Sequence, residues 1–132
     1  MSDNSSSNTT ADITTPEALL QAYAKGDRAF NGINLARKKL QGANLKGADL
    51  SYADFSGADL SQANLRGADL SYAVLHNTNL TETNLRGAML IGTDLRTDTL
   101  TAAIVTDADY DPEETLLPEA FDPQQAGMKR DR

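Results

Sequence analysis

The 132-residue sequence contains no cysteine. That excludes a disulfide framework, a thiol nucleophile and any metal site built on thiolates, and it gives no sign of an oxidising compartment. Histidine occurs once, as His76, in an Asn- and Thr-rich stretch with no serine–acid arrangement around it. No phosphate-cradling loop, dinucleotide fingerprint or metal-ligand spacing is present. The chain is therefore not expected to be an enzyme, and no cofactor or metal is expected. Apolar runs of membrane-spanning length are also missing, so no membrane is expected as a partner. Residues 1–10 are rich in Ser, Thr and Asn, without the basic start and apolar centre of a secretory leader. Residues 1–13 read as a disordered tail, and the expected compartment is the cytoplasm.

What the sequence does have is a five-residue rhythm. Between Gln41 and Gly92, Leu or Phe returns at 45, 50, 55, 60, 65, 70, 75, 80, 85 and 90, with Ala or Thr two residues before each and usually Asp or Asn one before. A period of five fits neither a helix nor a flat strand. A longer period lies on top of it, because Ala43-Asn44-Leu45-Lys46-Gly47-Ala48-Asp49-Leu50-Ser51-Tyr52-Ala53 returns twenty residues later, from Ala63 to Ala73. Each unit reads as a short extended piece followed by a turn. The small residue and the Leu or Phe point to one side and the Asp or Asn between them to the other. The two remaining residues form a corner, where glycine recurs, as at Gly47 and Gly67. Four sides then close a square coil, and coils stack at about 4.8 Å, leucine on leucine and alanine on alanine. One coil cannot bury its inner face, so the unit is stable only as a stack.

This A(D/N)LxG pattern resembles the pentapeptide-repeat family over Phe30 to Tyr110. The resemblance implies an all-β solenoid, a right-handed quadrilateral β-helix of about four coils, with an N-terminal α-helical cap and an irregular C-terminal cap. The whole chain looks like the short cyanobacterial members. Leu19-Leu20-Gln21-Ala22-Tyr23 with Gly26 and Phe30 resembles their first cap, and Tyr110-Asp111-Pro112 through Phe121-Asp122-Pro123 and Gly127-Met128 their second. Leu117 and Ala120 depart from that pattern, where an aromatic residue and a glycine are commoner.

The corresponding boundaries are a helical cap over 14–29, the β-helix over 30–110, a C-terminal cap segment over 111–128 and a tail over 129–132. Thr14 and Glu17 have capping-box spacing, Pro16 suits a first turn and Gly26 a stop. Leu19, Leu20 and Tyr23 are expected to cover the first coil. Ile33 and Lys38 fall in inward slots, and Lys38 fits only if its stem runs out beneath the stack. Asp98 also falls inward, and Thr99, Ile104 and Val105 interrupt the pattern. Leu116, Leu117 and Phe121 are expected to fold over the upper end.

The net charge is −7. From Phe30 to Thr106, however, seven acidic residues balance seven basic ones, and most of the excess lies in Asp107 to Asp122. This argues for solubility and against nucleic acid as a partner. Stacking by twenties sorts side chains into files. Lys46, Arg66 and Arg86 form a basic file, either a grip for an anionic partner or a solvated stripe eased by nearby carboxylates. Asn44, Asn64 and Asn84 are expected to form an amide ladder that holds coils in register, and Asp49 stacks on Asp69. On another face Tyr52 lies beneath Tyr72, with Met89 and Ile91 in the next coil and Val74 and His76 around the corner. Outward apolar residues, where the motif elsewhere puts Asp, Asn, Ser or Arg, suggest a partner-binding patch. The alternative is that the C-terminal segment covers Met89 and Ile91.

The leading functional expectation is a non-catalytic protein–protein interaction or scaffold module, its partner another protein; a homodimer is left open. The runner-up, which the family resemblance implies, is a DNA mimic that protects gyrase. The balanced coil argues against it, because a duplex carries about one negative charge per 1.7 Å of axis.

Overall fold

The computed structural model describes residues 12–131. Chain segments one coil apart pair through parallel bridges, and each of the four sides carries its own ladder. One side runs Ala29, Asp49, Asp69, Met89, Asp109; the next Asn34, Asp54, Val74, Asp94, Leu116; the third Lys39, Asp59, Asn79; the fourth Asn44, Asn64, Asn84, Ile104. The first side continues to Lys129 through a parallel pair of short strands, β1 (Asp109–Tyr110) and β2 (Lys129–Arg130). Every central side residue both donates and accepts along the axis. Asp69, for example, donates to the Ala48 carbonyl at 2.9 Å and accepts from the Leu50 N–H at 2.7 Å.

The corner chemistry follows from the unit. At the regular corners the Leu or Phe carbonyl accepts from the N–H three residues on, as in Ala68 to Leu65 at 3.0 Å. This β-turn requires positive φ at its third residue, and Gly47 and Gly67 adopt +71° and +67°. The Asp or Asn before the Leu is also part of the corner. Its Oδ1 accepts from the N–H two residues on, as in Ser51 to Asp49 at 3.0 Å and Arg66 to Asn64 at 3.1 Å. These Asx turns explain why the motif prefers Asp or Asn where only an outward polar residue was required.

Inside the coil the Leu/Phe and Ala/Thr columns form one buried cluster from Ile13 to Met128. Where Thr replaces Ala its hydroxyl cannot stay unpaired. Thr78, Thr83 and Thr93 donate to the carbonyls of Phe55, Leu60 and Leu70 in the coil below, at 2.7–2.8 Å. Those carbonyls already accept a corner N–H, so each uses its second lone pair.

At the ends several expectations are corrected. Helix α1 spans Pro16–Ala24, and its N-cap is Thr15, whose Oγ1 accepts from the Ala18 N–H at 3.1 Å. The Thr14–Glu17 capping box does not form. Pro16 takes the first helical position, where its missing N–H costs nothing, and this moves the cap one residue along. Leu19 and Ala22 are buried, while Leu20 and Tyr23 flank them. Ile13, expected in the tail, is 2% exposed and belongs to the core; residues 1–11 of that tail lie outside the described residues. Lys38 is exposed as required, leaving Ile33 alone in its inward role.

Asp98 does not point inward. The chain turns through a 3₁₀ helix, Asp98–Ala102, and buried Thr97 donates to the Thr78 carbonyl instead. Val105 and Tyr110 keep the inward columns, so the pattern resumes there, with Ile104 outward. After Tyr110 the offset grows, and Leu116 bridges Asp94, 22 positions back. Leu116 is therefore outside and 42% exposed, while Leu117 and Phe121 pack partly against the core. The expected tail at 129–132 is corrected as well, since its Lys129 and Arg130 form β2; residue 132 lies outside the described residues.

Candidate functional site

In the corner file that runs from Gly32 to Gly92, the third turn position is occupied at two successive levels by tyrosine. Tyr52 and Tyr72 both sit at φ +62°, where a non-glycine residue costs about 1–2 kcal/mol. Their rings stack with centroids 5.3 Å apart and planes 17° from parallel. Below them the file holds Gly32 and above them Gly92. The bare Gly92 makes room, since a Cβ there would lie 2.3 Å from the Tyr72 ring. Tyr72 reaches past it to donate its hydroxyl to Glu114 Oε1 at 2.7 Å. That hydrogen bond to a carboxylate, with the carboxylate's own charge, holds the phenol above the usual tyrosine range. The upper ring is thus tied to the C-terminal segment, while Tyr52 stays 65% exposed.

Met89 lies between Asp69 and Asp109, and Val74 between Asp54 and Asp94, each an exposed apolar residue flanked in its file by carboxylates. Ile91 is half-buried, and its carbonyl accepts from the Tyr72 N–H at 2.9 Å. His76 is exposed at the corner following Val74, one level below Arg96. Arg96 forms a bidentate pair with Asp94 at 2.9 and 3.0 Å, which, with a smaller contribution from His76, holds that carboxyl below its usual range. Tyr52, Tyr72, Met89 and Ile91 therefore share one side and its corner, and Val74 and His76 continue around it. Leu116 extends the Val74 file upward. Sequence reasoning missed it, because two extra residues between Tyr110 and Thr115 hide the offset.

The repeat itself decides the family. The family profile described as pentapeptide repeats matches in eight copies, over residues 30–67 and 58–96. The chain belongs to the pentapeptide-repeat family. Members fold as right-handed quadrilateral β-helices, and they are generally structural or interaction modules. This pentapeptide-repeat protein is 44% identical to alr5209, a pentapeptide repeat protein from Nostoc Pcc 7120, with a TM-score of 0.87 over 90% of this chain and 98% of that one. It is 30% identical to Rfr23 from the cyanobacterium Cyanothece 51142, with a TM-score of 0.51, covering 79% of this chain and 56% of the longer one. No curated protein matches.

The remaining files of this pentapeptide-repeat protein differ from expectation in one respect. Asn44, Asn64 and Asn84 do not form an amide ladder between coils. Each amide oxygen accepts from the N–H of Lys46, Arg66 or Arg86 in its own coil, at 3.0–3.3 Å. Register is carried by the backbone bridges and the inner columns. Lys46, Arg66 and Arg86 are exposed, and the ion pairs among the described residues, Arg96–Asp94 and Lys129–Asp107, do not involve them. Asp49 and Asp69 each accept from the following serine. Among the described residues no His, Asp and Glu gather into a metal-binding group, and no helix is long and apolar enough to cross a membrane.

Proposed function

We propose that this protein is a non-catalytic interaction or scaffold module: a rigid rod of about four coils that docks another protein through Tyr52, Tyr72, Val74, His76, Met89 and Ile91. In this reading α1 and the 111–128 segment close its two ends. It works in the cytoplasm without cofactor, membrane or nucleic acid. The observation that carries the reading is the tyrosine pair. Two exposed aromatic residues occupy left-handed corners in a file that holds glycine at the levels below and above them, and ring stacking alone does not require them to stay open to solvent. Aromatic anchors of this kind, flanked by methionine and aliphatic side chains, are what interface centres are enriched in.

The test uses Tyr52 and Met89, two exposed members whose side chains make no hydrogen bond or ion pair among the described residues. Tyr52→Ser and Met89→Ser together are expected to lower affinity for a partner captured from the source organism by about tenfold or more, while stability falls by no more than the lost ring stacking, about 0.5–1.5 kcal/mol. Capture that survives the double substitution overturns the assignment of this face.

A further inference from the structure

Beyond the tyrosine face, the fourth side of the coil has a chemistry of its own. It carries Asn44, Asn64 and Asn84 along its middle and Lys46, Arg66 and Arg86 along the corner that follows. Each Asn oxygen is committed to the corner N–H, so the amide presents its NH2 group outward. None of these NH2 groups, and none of the three cationic heads, finds an acceptor among the described residues. The other three sides all carry carboxylates in their central files, at Asp49 and Asp69, at Asp54 and Asp94, and at Asp59. The nearest of these, Asp49 and Asp69, are turned away, because each binds the N–H of the serine toward the tyrosine corner. Glu82 on the opposite corner is engaged by Gln62 at 3.0 Å. A chain of net charge −7 thus keeps one side made of donors and cations.

We propose that this side is a second docking surface, separate from the tyrosine face, and that its partner is an acidic amphipathic helix of another protein. Cations one coil apart stand about 4.8 Å and 9.6 Å along the axis. Glutamates at i, i+3 and i+7 of a helix stand about 4.5 and 10.5 Å along theirs. The arginine forks suit carboxylates, and the amide row supplies neutral donors beside them. Exposed Ile104 at the top of the Asn file gives an apolar residue of such a helix a contact. A phosphate polymer fits less well, since it has no apolar group to set against exposed Ile104.

The experiment measures fluorescence anisotropy of a labelled helical peptide bearing Glu at i, i+3 and i+7 and one Leu in the next turn, against the full chain. Saturable binding is expected at low salt, weakening toward physiological ionic strength. Arg66→Gln with Arg86→Gln is expected to weaken it by about tenfold or more. The same charge change at Lys38→Gln with Lys39→Gln, away from this side, is expected to leave it within about twofold. Asn64→Asp retains the corner bond that Asp49 makes while adding an anion, and is expected to weaken binding without moving the melting temperature. Absent binding, equal losses from the two double variants, or tighter binding of polyphosphate or single-stranded DNA than of the peptide each overturns the proposal.

Discussion

Leu65→Ala tests the inward column where the structure constrains it most. Leu65 is fully buried, and stacking puts Leu45 below it and Leu85 above. Truncation removes three carbons, about 2.4 kcal/mol at about 0.8 kcal/mol each. The void adds to this to an extent set by how far its walls relax, and buried Leu→Ala changes span about 2–5 kcal/mol. Here relaxation is blocked along the axis. The Leu65 N–H donates to Asn84 and the Leu45 N–H to Asn64, both at 2.8 Å, so the coils above and below cannot close on the gap without breaking their ladders. A loss of about 3.5–5 kcal/mol is therefore expected, the upper part of that range. Urea denaturation should show it as a lower midpoint at unchanged slope. Arg66→Ala, one residue on and exposed, should stay within about 0.5 kcal/mol. Equal losses for the two variants would refute the assignment of inward and outward positions.

Four other outcomes are expected. Gly67→Ala, at φ +67° with open space around it, should cost about 1–2 kcal/mol from the left-handed backbone alone. Gly92→Ala should cost more, because its methyl meets the Tyr72 ring, and denaturation in a Tyr72→Ala background should erase that excess; an excess that persists there refutes the ring's placement. Asp59 is held below its usual range mainly by the Ser61 hydroxyl and N–H, with help from Lys39. A lowered folded pKa gives stability that is present at neutral pH and lost as pH falls through the folded value, so Asp59→Asn should flatten the acid limb of the stability curve, and a limb parallel to the wild type would remove the argument. In a gyrase supercoiling assay no inhibition is expected at micromolar protein, since Phe30 to Thr106 carries no net charge; potent inhibition lost on neutralising Asp49, Asp59 and Asp69 would restore the DNA-mimic reading.

The repeat was legible from the residues because its constraint is local and recurs. A small residue and a Leu two apart must face inward in every unit, and a corner must follow, so Leu65, Ala63 and Gly67 each declare their roles without knowledge of any other coil. The outward position of Tyr52, Tyr72 and Met89 followed from the same count. Where the count changes, that logic stops. Thr97 rather than Asp98 turns inward because the chain winds into a 3₁₀ helix there, and Leu116 lands outside because the coil it joins has lengthened from twenty positions to 22.

The sequence alone determined the family, the inner columns and the sorting of charge into files, since each depends on spacing within one chain segment. Tertiary structure decided what polar side chains do with their atoms. Only there do Asn44, Asn64 and Asn84 bind their own corners instead of one another, and only there do the buried threonines find carbonyls in the coil below. The tie between Tyr72 and Glu114, 42 positions apart, belongs to the same class. A hydrogen bond depends on tenths of an ångström and on direction, and spacing along a chain carries neither.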